Sequence, residues 1–62
     1  MTKKIRANIK KQITNVLSDA KRLAPEGRLK DVYTIGAALF VKMNKLDEKE
    51  TLPIIEEVWK SQ

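Results

Sequence analysis

The chain has 62 residues, no Cys, no His and a net charge of +5. That composition excludes disulfides, thiolate metal sites and the usual catalytic general base. It also limits the chain to one domain, residues 1–62, too small to be comfortably stable alone, so association is expected. The charge is uneven: residues 1–30 hold nine Lys/Arg against two acids, and residues 31–62 hold four against six. A basic half beside a mildly acidic half points to an anionic partner for the first. The lack of Cys fits a reducing, cytoplasmic setting. The charged N-terminus is not followed by the apolar run of a signal peptide. The longest apolar stretch, "IGAALFV" at 35–41, is too short to cross a bilayer.

In chain order, the first segment is "KKIRANIK" at 3–10, and it reads two ways. As a strand it alternates, with Ile5, Ala7 and Ile9 on one face and Lys4, Arg6, Asn8 and Lys10 on the other. As a helix it begins a stripe of Ile5, Ile9, Ile13, Leu17, Ala20 and Ala24, with Thr2 placed to cap it. Residues 11–24 are helical in pattern, because Ile13, Val16, Leu17, Ala20 and Leu23 recur at i, i+3, i+4, i+7. "APEGR" at 24–28 then breaks the helix through Pro25 and Gly27.

Residues 29–43 form the second predicted helix. Its stripe of Leu29, Val32, Tyr33, Gly36, Leu39, Phe40 and Met43 is joined by Ile35, Ala37, Ala38 and Val41 on the other faces. A helix apolar all round must be buried all round, and so small a monomer cannot surround it. A homodimer core of Val32, Ile35, Ala38, Leu39 and Phe40 is the expectation. After a polar break at 44–51, a third helix is predicted over 51–60. Thr51 is its expected N-cap and Pro53 lies in its first turn. Ile55 and Trp59 share its apolar face, either packing on the dimer core or anchoring a second protein.

The order of "KKIRANI", "ITNVLSDAKRL" and "GRLKDVYTIGAALFVKM" resembles the ribbon-helix-helix family of DNA-binding repressors, over residues 3–43. The resemblance implies a strand at 3–10 that pairs with its counterpart in a second chain. The resulting antiparallel ribbon would enter the DNA major groove while the helices interlock. Lys4, Arg6 and Asn8 would then reach base edges, since Arg suits guanine and Asn suits adenine. Lys10, with Gly27, Arg28 and Lys30 at the start of the second helix, would meet phosphates. Arg28-Leu29-Lys30 departs from the Ser or Thr that many members place there. The mainly helical ribbon-helix-helix dimer is favoured over an all-helical three-helix chain by the apolar second helix and the outward Arg and Asn.

Other chemistry is sparse. Asp47, Glu48 and Glu50 lack the Gly-turned spacing of a calcium loop. Ser18 and Thr34 have no His to activate them, and Glu56 and Glu57 are adjacent on a helix and point apart. The residues point to a non-enzyme without cofactor or metal. A membrane-surface role is disfavoured, because the apolar face of 5–24 has no aromatic anchor and the tail is acidic. The expected function is a homodimeric, sequence-specific regulator binding double-stranded DNA. The alternative is a small helical module that modulates a protein partner. Whether residues 4–9 are strand or helix separates the two.

Overall fold

Thr2 decides how the chain starts. In the computed structural model, which describes residues 2–62, its backbone is extended and its Oγ1 accepts the Ile5 N–H at 3.2 Å. That satisfies one of the free amides of a helix start. From there a single helix, α1, runs from Lys3 to Leu23. Ile9, Ile13, Leu17 and Ala20 are buried along it at i, i+4, i+8 and i+11, one unbroken stripe.

This overturns the strand expected at 3–10 and, with it, the ribbon-helix-helix dimer fold. The described residues form three helices and no strand, and the all-helical alternative is the one that fits. The physical reason is continuity. A strand would put Ile9 out of register with Ile13 and Leu17, whereas one capped helix places all three on the same wall.

Leu23 ends the helix because Ala24 precedes Pro25 and takes an extended conformation, with ψ 137°. The chain then reverses. The Arg28 N–H donates to the Pro25 carbonyl at 3.0 Å, and Gly27 has φ +82°, as a type II turn requires of its third residue. The second helix, α2, spans Leu29–Met43. It closes in a Schellman pattern, with the Leu46 N–H donating to the Val41 carbonyl and the Lys45 N–H to the Lys42 carbonyl. The left-handed position of that pattern is held by Lys45, at φ 53°, rather than by glycine.

The third helix, α3, spans Glu48–Lys60, three residues earlier than the expected start. Asp47 is the cap, its carboxylate accepting the Lys49 N–H at 2.8 Å. Thr51, expected as the cap, is instead fully buried inside the helix, its hydroxyl donating to the Asp47 and Glu48 carbonyls. Pro53 therefore lies in the second turn. The carbonyl it leaves without a donor belongs to Lys49, which is exposed to water.

The helices are arranged around α1. Both α2 and α3 pack along it, and they touch each other far less. The core joins Ile9, Ile13, Leu17 and Ala20 of α1 to Tyr33 of α2 and to Ile54 and Val58 of α3. Gly36 lets α2 come close, since a Cβ there would meet Val16 Cγ1 at 3.0 Å. Tyr33 is the main link between α2 and α3. Its ring stacks on Trp59, with centroids 5.5 Å apart, and its hydroxyl donates to the Ile55 carbonyl at 2.7 Å. Burial raises the Tyr33 pKa above its ordinary value. Among the described residues no helix is long and apolar enough to cross a membrane.

Two substitutions test this account in opposite directions. Tyr33→Phe removes a buried hydrogen bond and lowers unfolding stability by about 1 kcal/mol. Lys45→Gly relieves the left-handed backbone and raises stability by about 1 kcal/mol. Urea unfolding of both variants checks the signs.

Candidate functional site

The cations of α1 are sorted by its helical periodicity. Arg6 and Lys10, one turn apart, lie beside α3 and share one carboxylate. Arg6 donates to Glu57 Oε2 at 2.7 Å and Lys10 to Oε1 at 2.9 Å. Lys10 and then Arg6 hold the Glu57 carboxyl well below the usual range, at about 2. All three side chains remain about 40–45% exposed, so solvent screens the attraction. The clamp bridges the edges of α1 and α3, whose packing is set by the apolar core.

On the opposite side of α1, Lys4, Asn8, Lys11, Asn15 and Arg22 follow one another at i, i+4, i+7, i+11 and i+18, and all are exposed. These spacings fall on one narrow stripe of a helix. Lys3 and Lys21 lie off the stripe, round toward Lys10 and α3. Lys3, Lys4, Lys11 and Lys21 make no ion pair among the described residues. One acid stands at the margin of the stripe, Asp19, bound to Arg22 at 2.9 Å. At 1.5 Å per residue α1 is about 31 Å long, and it presents amide and ammonium groups over most of that length.

The expected base-contacting set is therefore split. Lys4 and Asn8 face outward together, but Arg6 turns inward to Glu57. Lys10, expected at a phosphate, is in the same clamp. Arg28 also has a partner, since its Nε donates to Asp31 Oδ2 at 3.1 Å. Gly27 lies in the turn before α2, and Lys30 borders the cleft between α2 and α3 rather than the α1 stripe. Of the expected dimer core, Val32 and Phe40 pack against this chain's own core, while Ile35, Ala38 and Leu39 face outward.

The α2–α3 cleft is the main apolar concavity. Its wider part has a volume of about 390 Å³ and is lined by Tyr33, Leu52, Ile55 and Trp59, with Lys30 and Lys60 at the rim. Ile55 and Trp59, expected either in a core or at a partner, are half-buried against this chain's own core. No cluster of acids capable of holding a metal exists among the described residues. No family model, curated protein or solved structure matches the chain.

Four candidate residues escaped the sequence reading. Lys11, Asn15 and Arg22 were missed because a strand ending at residue 10 detaches them from Lys4 and Asn8. Glu57 was missed because it was weighed only against its neighbour Glu56. The signal for it was the pair of cations at i and i+4, Arg6 and Lys10, adjoining a buried stripe.

The Glu57 carboxyl is depressed in the folded chain, so the clamp's contribution is full above the ordinary carboxylate range. It is lost as pH falls toward about 2. Glu57→Gln should melt below wild type at neutral pH, and the difference should narrow as pH falls through that window. Thermal melts of both proteins across the acid range check it.

Proposed function

We propose that the protein is a non-enzymatic binding protein that docks on duplex nucleic acid through the outward face of α1. The observation that carries this reading is the stripe Lys4, Asn8, Lys11, Asn15 and Arg22 on one exposed helix face. Ammonium groups without intramolecular partners can replace phosphate counterions. Amide side chains interleaved with them can bond to adenine edges, and Lys and Arg can bond to guanine. A helix with its side chains is about 10–12 Å across, which suits a major groove about 12 Å wide. No β-ribbon is involved. Because a straight helix leaves the curving groove, Asn8 sits where the helix is deepest and meets bases, while Lys4, Lys11 and the later cations meet phosphates.

Glu57, the acid that α3 brings to α1, is engaged by Arg6 and Lys10 and lies away from the stripe. A second reading, a helical module that binds a protein partner, is favoured by the apolar α2–α3 cleft with Leu52 and Trp59 in its walls.

Duplex retardation measured over a range of salt separates the two. The nucleic-acid reading expects affinity to fall steeply with salt, and Lys4→Ala or Lys11→Ala to reduce the slope by about 0.9 per lost contact. Asn8→Ala should cost about 1–3 kcal/mol on a preferred site and little on random duplex. Arg6→Ala should act on thermal stability more than on sequence preference. Absence of retardation at low salt and micromolar protein would transfer the function to the cleft.

A further inference from the structure

The outward face of α2 is apolar where a lone small protein would be polar. Ile35 is 61% exposed, Leu39 53% and Met43 79%. Ile35 and Leu39 sit one turn apart at the centre of this face, opposite the buried Tyr33 and Ala37, with Ala38 at its margin toward α3. The charges on the same face are placed at its two ends, Asp31 near the start of α2 and Lys42 near its finish.

We infer that this stripe is the seam of a twofold homodimer in which the two α2 helices run antiparallel. Self-association goes beyond the nucleic-acid reading and does not rest on it. The occupant is a second copy because the stripe complements itself. A twofold axis through its middle sets Ile35 over the partner's Leu39, and Leu39 over the partner's Ile35. The same operation brings Asp31 to within one residue of the level of the partner's Lys42, and it does so twice. A parallel pair would instead place Asp31 beside the partner's Asp31 and Lys42 beside the partner's Lys42, which is repulsive. Asp31 is available for this contact. Arg28 engages only its Oδ2, and both side chains are about two-thirds exposed.

The size of the seam sets its strength. A footprint about 22 Å long and one helix wide, roughly 11 Å, is well below the ~800 Å² per partner of a standard interface. The dimer is therefore a weak, concentration-dependent one. The small Ala38 allows close approach of the helices. Both seam centres, Ile35 and Leu39, lie outside the monomer core, so polar substitution there does not remove core packing.

Sedimentation velocity on the full chain, from low to high micromolar, tests the seam. Wild type is expected to pass from monomer to dimer. Leu39→Asp should remain monomeric with unchanged helical circular dichroism. Asp31→Lys and Lys42→Asp should each weaken the dimer by about tenfold, and the double swap should restore it. A wild type that stays monomeric throughout, a Leu39→Asp variant that dimerises normally, or a double swap without rescue would each overturn the seam. Its direction is read separately with Met43→Cys, which introduces one thiol into a chain that has none. In the antiparallel pair the two thiols lie about 18 Å apart along the axis and do not cross-link. Rapid disulfide formation would overturn the antiparallel arrangement.

Discussion

Everything in this fold depends on one buried line of side chains, Ile9, Ile13, Leu17 and Ala20. The line is a wall shared by two helices that hardly meet each other. It requires α1 to be straight and continuous from its Thr2 cap to the Ala24–Pro25 stop. It requires α2 to come near enough for Gly36 to sit against Val16. It also requires α3 to begin early enough, at Asp47, for Ile54 and Val58 to reach the wall. A Cβ at position 36, or a break at position 10, would disturb all three helices at once.

The same periodicity governs the electrostatics. Once the apolar line fixes how α1 is rotated, each cation is assigned a side. Arg6 and Lys10 are turned toward α3 and share the single carboxylate of Glu57. Lys4 and Lys11, only one or two residues away in sequence, are turned to water. Net charge alone does not make a cationic face. Here the face arises because the core orients some cations outward and α3 supplies a carboxylate for the others.

How much of this was legible in the sequence differs by segment. The range of α2 was readable to the residue, because Pro25, Gly27 and the polar break at 44 bracket a long apolar pattern. The α3 helix was readable, but its start was not. Thr51 and Asp47 are both capping types, and the choice between them turned on whether Thr51 could be buried with its hydroxyl bonded within the helix. Residues 3–10 were ambiguous in principle. Alternation and helical spacing coincide when Ile5 and Ile9 are four apart with an Ala between them. What resolves them is the continuation of the stripe through Ile13, visible in the sequence, together with the non-local closure of Val58 and Ile54 over it. The apolar character of α2 was read correctly, but the single chain covers only two of its sides. Where Arg6 would point could not be known until α3 was placed.

The arrangement around α1 also has a consequence for the newly made chain. Synthesis delivers the wall first and its second cover last. An isolated amphipathic helix of this kind is marginal in water. With α2 added, the wall is covered on one flank only. Ile9 and Ile13 stay open on the other until Ile54 and Val58 emerge, as does the Arg6–Lys10 pair until Glu57 appears. A ribosome-bound chain that has not yet delivered α3 would show a half-dressed apolar helix rather than a smaller stable domain. Folding thus waits for α3 and then proceeds quickly, since helix pairs joined by short turns have few long loops to close.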